Sequence, residues 1–533
     1  RRASPCLEWG PAFREACGPA ASWMWPRRPK PFAPVIFYSA ANSRACEYWI
    51  HWIAAPAAST SEVTIEAIPM VLPPPGTVIG PSFTAGTRLP KAMIATKAIA
   101  GMTGTVNAEL RVGSVEETVT VTGAGHASLV AGAAPAIHGI IGNDWRDPAS
   151  GASVYCATTE RYQRVPPARP MAPRPGAATA PAIRRGAGSP ERLLGPTVGD
   201  ALRANPQSAS KIASFSLKDR GAVLPGGLKG NIVYWWDSDS GDFVTSTYYR
   251  DKVAEWVADF NAKKPADKWF GTTWNRLRAD LDYDKLAGPD DVTGEGPGIA
   301  RKQGRAFPHS FPSETGKPDK TYYSALYTSP FSNELLADFA LEAVRVEKLG
   351  QRDVPDLLCV SFSANDVVGH MWGPDSHEVL DITLRTDALL ARFFKELDAI
   401  VGKGNYGVVL SADHGVCPLP EVARSKGAKA ARRIDGVKLG QGLVAHLREE
   451  FKLGEKVQPL MGSLDENLYL NPKAFGDTDI AKVREAAADW LRKQQGIGSC
   501  FTRQQLESIA PTDDALLRQA RLSFHPKNSG DLL

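Results

Sequence analysis

The fold of this chain is decided by one stretch, LLCVSFSANDVVGH, at residues 357–370. Its first six residues form a short apolar run, which is typical of a parallel strand buried on both faces. The polar residues Asn365, Asp366 and His370 follow just past this run. Open α/β sheets bind their ligands at the carboxyl ends of the strands. The stretch therefore predicts an α/β fold with a functional site at that edge of the sheet.

A helix and a second strand follow the first strand. Residues 376–401 carry apolar side chains at helical spacing, and the short apolar run 407–411 predicts another buried strand. Asp413 and His414 come directly after this second run, within the motif Ser-Ala-Asp-His-Gly. The sequence thus predicts a strand–helix–strand unit in which an Asp and a His lie just past each of two adjacent strands.

These two Asp–His pairs have the composition of metal sites. Carboxylate and imidazole are ligands that zinc takes in catalytic sites. Two such pairs can hold two metal ions a few ångström apart, which clamps the attacking and leaving oxygens of an in-line phosphoryl transfer. A single Asp-x-x-x-His is usually without function, so the metal prediction depends on the two pairs bracketing one structural unit.

A third motif begins at Thr122 and continues Gly-Ala-Gly-His-Ala-Ser. A hydroxyl residue followed by small residues can open a helix, and the helix N-terminus would favour an anionic phosphoryl group. A hydroxyl is a weak nucleophile at neutral pH and needs activation, for example by metal coordination. On this motif alone, the simpler interpretation of Thr122 as a helix N-cap is favoured.

The organisation of the chain changes along its length. Residues 1–60 are rich in Trp, Ala, Pro and Arg and lack periodicity, so we expect irregular structure there. Residues 61–121 alternate apolar and polar side chains in places, which suggests a small β-module or a linker. Residues 122–533 read as an α/β domain, with a late amphipathic helix over 480–493.

Composition excludes several classes of protein. The net charge of +4 over 533 residues favours neither a nucleic-acid polymer nor an acidic membrane as partner. No run approaches the roughly 18 to 20 apolar residues of a membrane span, and no signal peptide is visible. Seven scattered cysteines describe neither a disulfide framework nor a structural zinc site. One or two bridges and buried free thiols both stay open, and the oligomeric state is not predicted.

Taken together, the motifs resemble the type I phosphodiesterase/nucleotide pyrophosphatase family of the alkaline-phosphatase superfamily. The segment from Thr122 to Trp145 resembles its nucleophile region, and residues 365–370 and 411–415 resemble its metal motifs. Residues 216–220, Ser-Leu-Lys-Asp-Arg, resemble the PafA-like bacterial alkaline phosphatase branch. The resemblance implies an alkaline-phosphatase-like central mixed sheet flanked by helices.

The resemblance also implies a metal-dependent hydrolysis of phosphate monoesters, with a small phosphate ester as substrate. Thr122 would form a covalent phospho-threonine that is later hydrolysed. Asp366 and His370 would bind one Zn²⁺, and Asp413 and His414 would bind a second, shared with the Thr122 oxygen. Relatives of this kind are mostly exported, which implies a periplasmic or secreted location.

Three further residues would contact the phosphoryl oxygens by the same resemblance: Asn143, Lys218 and Arg220. A lysine point charge and an arginine fork can together meet a dianion. This pair favours the monoesterase reading over the alternative, a phosphodiesterase or nucleotide pyrophosphatase. Without the resemblance, the segment around Lys218 would read as a solvated charged turn.

The chain departs from the family pattern at both ends. No aspartate precedes Asp144, so the metal-binding Asp expected upstream of Thr122 is absent, and the first sheet strand is in doubt. A third His expected for the first zinc is also absent, since the chain ends at Leu533 and His525 matches a segment before that ligand. Each metal thus lacks one family ligand. A truncated, catalytically impaired relative, whose N-terminal β-module binds a partner, is therefore the second hypothesis.

Overall fold

The computed structural model describes residues 33–38 and 122 through their backbone, and residues 123–168, 187–464 and 466–533 in full. The β-module expected at residues 61–121 lies outside these described residues. The described strands are β1 (Ala33–Tyr38), β2 (Asp144–Arg146), β3 (Ser153–Tyr155), β4 (Arg164–Val165), β5 (Ile212–Ser216), β6 (Ile232–Asp237), β7 (Asp242–Ser246), β8 (Thr273–Trp274), β9 (His309–Ser310), β10 (Leu357–Ser361), β11 (Tyr406–Ser411), β12 (Leu460–Leu464) and β13 (Asn467–Leu470).

The described α-helices are α1 (Thr122–Ala131), α2 (Pro135–His138), α3 (Val198–Leu202), α4 (Asp219–Gly226), α5 (Glu255–Ala262), α6 (Tyr283–Ala287), α7 (Lys320–Tyr327), α8 (Pro330–Val346), α9 (Ala364–Trp372), α10 (His377–Leu397), α11 (Pro420–Ser425), α12 (Gly436–Glu450), α13 (Ile480–Arg492), α14 (Arg503–Glu507) and α15 (Ala515–Ser523). Short 3₁₀ turns lie at Pro265–Trp269, Ile299–Arg301 and Pro472–Ala474, and a π-helical turn lies at Asp398–Gly402.

One mixed sheet organises the described structure, with the strand order β11-β1-β10-β5-β6-β7-β4. The strands from β11 to β6 run parallel, and β7 and β4 are antiparallel to their neighbours. Their register aligns the carboxyl ends of four strands, because Tyr38 faces both Ser361 and Ser411, and Ser361 faces Ser216. The segments that follow β5, β10 and β11 therefore start from one edge of the sheet.

The strand β1 corrects three expectations. Irregular structure at residues 1–60 is wrong for Ala33–Tyr38, and the first sheet strand is present. In addition, β1 lies between β10 and β11, so the strands that precede the two Asp–His pairs are not adjacent. The chain continues after Tyr38 with Ser39, so the sequence holds no aspartate directly after this strand.

The strand–helix–strand prediction is confirmed by β10, α10 and β11. The Ser376 hydroxyl caps α10 by accepting a hydrogen bond from the Val379 N–H at 3.2 Å. The late amphipathic helix is confirmed as α13. The prediction that β11 is a buried strand is wrong, because Leu410 is 45% exposed and β11 is an edge strand of the described sheet.

Apolar side chains on both faces of the sheet are buried by helices. Alternation along β6 sends Tyr234 and Trp236 into a core cluster with α8 and α10, and Val233 and Trp235 into a second cluster with α4. At the centre of the first cluster, Phe339 stacks on Phe243 with ring centroids 3.8 Å apart. Helices on both faces of a mixed sheet confirm the predicted fold class.

Two smaller expectations are also answered. Within residues 122–168, 187–464 and 466–533, no helix combines the length and the apolar character that a membrane span requires. Of the cysteines in these ranges, Cys156, Cys359 and Cys500 are buried free thiols and Cys417 is an exposed one.

Candidate active site

The N-terminus of α1 is fixed to the predicted phosphate-contact residue Asn143. The backbone N–H of Gly123 donates to Asn143 Oδ1 at 2.8 Å. This bond satisfies one of the N–H groups that a helix leaves unpaired in its first turn. Because the amide oxygen of Asn143 is used here, its NH₂ group remains as the donor for a ligand. The helix opening predicted at Thr122 is confirmed, and α1 begins at that residue.

The first turn of α1 also lies directly against the loop after β11. A Cβ atom on Gly125 would lie 1.9 Å from the carbonyl oxygen of Asp413, so only glycine allows this approach. One residue further, His126 Nε2 lies 3.4 Å from Asp413 Oδ2. Burial lowers the pKa of His126 to about 4, although the charge of Asp413 opposes this shift. A neutral imidazole therefore joins α1 to the Asp413 carboxylate near neutral pH.

The two predicted Asp–His pairs converge although β1 separates their strands. On α9, His370 follows Asp366 by one turn and its Nε2 lies 3.3 Å from Asp366 Oδ1. The Nε2 of His414, after β11, lies 3.4 Å from the same oxygen and 3.7 Å from Asp413 Oδ2. Asp366 is buried, whereas the His370 side chain is 72% exposed. The structure thus gathers all four predicted ligands at one edge of the sheet.

The hydrogen bond of His414 decides which ring nitrogen can bind a metal. Its Nδ1 lies 2.7 Å from the carbonyl oxygen of Gly415, and a carbonyl can only accept. Nδ1 therefore carries a proton, and Nε2 is the ring nitrogen that faces the carboxylates of Asp366 and Asp413. In the described residues, however, no three His, Cys, Asp or Glu side chains form a set that could hold a metal ion. The oxygen and nitrogen donors of these four residues are nevertheless of the kinds that divalent metal ions take in proteins.

Lys218 joins the predicted phosphate contacts to the metal-type ligands. It follows β5, and its backbone N–H donates to Ser216 Oγ at 3.0 Å. Its side chain is 7% exposed and its ammonium group contacts Asp366 Oδ2. Burial lowers the pKa of Lys218, and the charge of Asp366 opposes that shift. The interpretation of this segment as a solvated turn is therefore wrong for Lys218.

The electrostatics of Asp366 follow from the same contacts. Burial alone would raise the pKa of its carboxyl group. The hydrogen bond with His370 and the charge of Lys218 outweigh burial and hold the pKa well below its ordinary range. Asp366 is therefore an ionised carboxylate at neutral pH, and Lys218 supplies its compensating positive charge.

Arg220 is framed by Asp219, which belongs to its own motif, and by Tyr155, which sequence reasoning missed. The Tyr155 hydroxyl donates to Asp219 Oδ1 at 2.5 Å and accepts from Arg220 Nη1 at 3.5 Å. The charge of Arg220 lowers the pKa of both Lys218 and His126, so the guanidinium acts at the same site. No sequence signal marks Tyr155, because it lies far from Arg220 in the chain and belongs to no motif.

The second histidine of the α1 region has an evident packing role. His138 is fully buried, lies 2.9 Å from Ser128 Oγ through Nε2, and accepts the backbone N–H of Ile140 at Nδ1. Burial lowers the pKa of His138 to about 4. It therefore holds α2 against α1 as a neutral ring.

Comparison with known proteins identifies what this chain is similar to. Residues 115–513 match the family model described as type I phosphodiesterase/nucleotide pyrophosphatase. The chain is 37% identical over 420 residues to alkaline phosphatase PhoV of Synechococcus elongatus, covering 78% of this chain and 71% of that protein. It is 32% identical over 421 residues to alkaline phosphatase PafA of Elizabethkingia meningoseptica, covering 78% of this chain and 72% of that protein.

The crystal structure of wild-type alkaline phosphatase PafA superimposes with a TM-score of 0.67 at 32% identity, covering 78% of this chain and 76% of that chain. A solved PafA variant, with a TM-score of 0.67 at 30% identity over the same shares of both chains, has a threonine replaced by serine, and an asparagine, a lysine and an arginine replaced by alanine. Along that chain, the threonine-to-asparagine and lysine-to-arginine separations equal those of Thr122 from Asn143 and of Lys218 from Arg220.

Proposed function

Because the chain belongs to the type I phosphodiesterase/nucleotide pyrophosphatase family, and so is a phosphoric ester hydrolase, we propose that it hydrolyses phosphate monoesters with Thr122 as nucleophile. The observation that carries this proposal is the packing of the first turn of α1 against Asp413, at the sheet edge where His414, Asp366 and Lys218 also meet. Gly125 brings the first turn of α1 against Asp413, and Lys218 contacts Asp366. Thr122 begins the helix whose first turn makes this approach, which supports it as the nucleophile.

The metal requirement is part of the proposal. Asp366 with His370 would hold one divalent ion, and Asp413 with His414 the other, since their nitrogen and oxygen donors suit Zn²⁺. When bound, such ions supply Lewis acidity at the reacting oxygens. The proton on His414 Nδ1, fixed by the Gly415 carbonyl, keeps Nε2 available as a ligand.

The chain's own residues would carry the reaction in two displacements. In the first, the Thr122 hydroxyl oxygen bonds to phosphorus and its proton is lost to solvent, while the bond from phosphorus to the ester oxygen breaks and that oxygen keeps the electron pair, takes a proton from solvent and departs as the alcohol. In the second, water attacks phosphorus, the phospho-threonine bond breaks, and Thr122 regains a proton as phosphate leaves. The Asn143 NH₂ group, held by the bond between its Oδ1 and the Gly123 N–H, would donate to one phosphoryl oxygen throughout.

Two cations favour monoesters as substrates. A phosphate monoester carries two negative charges and three terminal oxygens, whereas a diester carries one charge and two such oxygens. Lys218 and Arg220 would meet the extra charge and oxygen of the monoester. The equal residue separations in the PafA variant support assigning these two residues, with Thr122 and Asn143, to the same site.

A pair of substrates and one variant test this proposal. An aryl phosphate and the matched methyl aryl phosphodiester are compared at mildly alkaline pH with added zinc. We expect kcat/KM to be higher for the monoester, and Lys218→Ala to lower the monoester value by about 100-fold and the diester value much less. A strong preference for the diester would refute the monoesterase assignment.

A periplasmic or secreted location is a further proposal, supported only by the resemblance to exported enzymes. Fractionation of cells expressing the full gene tests it. Activity confined to the cytoplasmic fraction would contradict it.

A further inference from the structure

Tyr155 is a buried residue to which the proposed mechanism gives no role. It ends β3, is 2% exposed, and its hydroxyl donates to Asp219 Oδ1 at 2.5 Å. The same hydroxyl lies 3.5 Å from Arg220 Nη1, which donates to it. Burial raises the pKa of Tyr155 well above its ordinary value, with the Asp219 charge acting in the same direction. The phenol therefore keeps its proton and donates in one direction, toward Asp219.

The guanidinium of Arg220 has few other ways to be held. Among the described residues, Tyr155 supplies its one side-chain hydrogen bond, and the buried Nε atom has no partner. Asp219 also accepts the backbone N–H of Arg220 at 2.7 Å. Its carboxylate therefore holds both the backbone of Arg220 and the hydroxyl of Tyr155. Loss of the phenol oxygen would remove this hydrogen bond and leave the direction of the guanidinium to packing and to the charge of Asp219.

The β2–β3 hairpin connects Tyr155 to the other phosphate-contact residue. In this hairpin, Asp144 pairs with Tyr155, and the backbone N–H of Cys156 donates to the Asn143 carbonyl at 2.9 Å. A Cβ atom on Gly123 would lie 2.9 Å from Cys156 Sγ, so the start of α1 packs on the same hairpin. The β2–β3 hairpin thus supports Asn143 directly and supports Arg220 through the hydroxyl of Tyr155.

We propose that Tyr155 is a positioning residue that aims the Arg220 guanidinium at the phosphoryl group and so raises the preference for monoesters. The inference rests on the proposed function, in which Arg220 contacts a phosphoryl oxygen. A planar guanidinium binds an anion best when its direction is fixed beforehand, since less freedom is lost on binding.

A purely structural role would give a different result. Tyr155 belongs to the core cluster beneath α4, and its ring would stabilise that core whether or not it oriented Arg220. Tyr155→Phe keeps the ring and removes only the hydroxyl. Tyr249→Phe is the matched control, because Tyr249 packs on the same cluster and its hydroxyl donates to the Val223 carbonyl instead.

The test is a double-mutant cycle with Tyr155→Phe, Arg220→Ala and both together. For an aryl phosphate we expect Tyr155→Phe to lower kcat/KM about 10-fold, while the matched diester changes about 2-fold or less. In the Arg220→Ala background, Tyr155→Phe should have no further effect. Tyr249→Phe should leave both substrates unchanged.

Two results would overturn the inference. Either Tyr155→Phe lowers monoester and diester hydrolysis equally, or its effect persists in full without Arg220. If the unchanged chain hydrolysed no monoester, the proposed function would fail instead. The Kd of inorganic phosphate, measured for the same variants, would then decide the role of Tyr155. A positioning role predicts that Tyr155→Phe weakens phosphate binding when Arg220 is present and has no effect in the Arg220→Ala background.

Discussion

The site has two halves that the protein holds in different ways. The anion half consists of the start of α1, Asn143 and Arg220, and hydrogen bonds from the β2–β3 hairpin fix it. Its supports are hydrogen bonds, as with the Gly123 N–H on Asn143 Oδ1 and the hydroxyl of Tyr155 beside Arg220. Because these contacts join groups of the protein to each other, we expect the proposed anion half to keep its geometry without a metal ion.

The metal half consists of Asp366, His370, Asp413 and His414, and it relies on charge. His370 is 72% exposed and its one close contact at the site is the Asp366 carboxylate. The ammonium group of Lys218 compensates the buried Asp366. Carboxylates gathered in this way repel each other and attract cations, so this half should depend on a bound cation for its final geometry. Because the two halves are held differently, metal loss and loss of the anion site should be separable by experiment.

The largest expected effect comes from breaking the metal half. Asp366→Asn removes the carboxylate that His370, His414 and Lys218 all contact, so tightly bound zinc should fall and activity should drop by about 100-fold or more. Elemental analysis and aryl phosphate hydrolysis measure the two quantities. The control Asp375→Asn weakens the nearby ion pair with Lys426, which involves none of the four proposed ligands, and should change both little. Unchanged zinc content in Asp366→Asn would contradict the division into halves.

A smaller effect should come from the close contact between the first turn of α1 and the backbone of Asp413. Gly125→Ala would force a methyl group onto the Asp413 carbonyl, so we expect a loss of about 1–3 kcal/mol in unfolding free energy, together with reduced activity. Urea unfolding and the hydrolysis assay measure this. Gly440→Ala is the matched control, because it lies inside α12 with open space around it and should gain up to about 1 kcal/mol. Equal effects of the two substitutions would mean that no close approach exists at Gly125.

The smallest expected effect is a loss of folding stability at alkaline pH, caused by Glu295, whose neighbour Gly296 contacts α9. Burial raises the pKa of Glu295 from 4.5 to about 8, and the neighbouring Gly296 N–H donates to the Met371 carbonyl, next to His370. Because the pKa of Glu295 is higher in the folded chain than in the unfolded chain, protonation of Glu295 favours the folded state. This contribution to stability is complete below about pH 4.5 and is lost as pH rises through 8. Glu295→Gln should therefore be increasingly more stable than the unchanged chain between pH 5 and pH 9, by more than about 1 kcal/mol at the end. Chemical unfolding at both pH values checks this; a constant difference would contradict it.

Sequence patterns predicted those strands and helices whose apolar residues recur at a regular spacing. The apolar run at β10 and the helical spacing of α10 identified both elements, because burial on a fixed face imposes that period. The strand β1 was missed because its run is short and contains Pro34, which argues against a central strand. Once β1 is inserted, the two metal motifs are separated by a strand, and no local pattern contains that information.

The candidate site was predictable where a motif carries it and not where contacts are distant in sequence. Asp366, His370, Asp413 and His414 stand in recognisable motifs, and the structure brings them together. The support of Arg220 by Tyr155 joins residues 65 positions apart through a single hydroxyl. Such a contact depends on how the β2–β3 hairpin docks on α4, which only the folded chain reveals.

The most direct test of the account is to look for the phosphoryl group on Thr122. The protein is mixed with excess aryl phosphate and zinc, quenched in acid within one turnover, digested, and mapped by mass spectrometry. We expect a phosphate on the peptide that contains Thr122, and a Thr122→Ala variant that forms no phosphopeptide and loses activity about 10³-fold or more. Full activity in Thr122→Ala, or turnover with the phosphate on another residue, would contradict it.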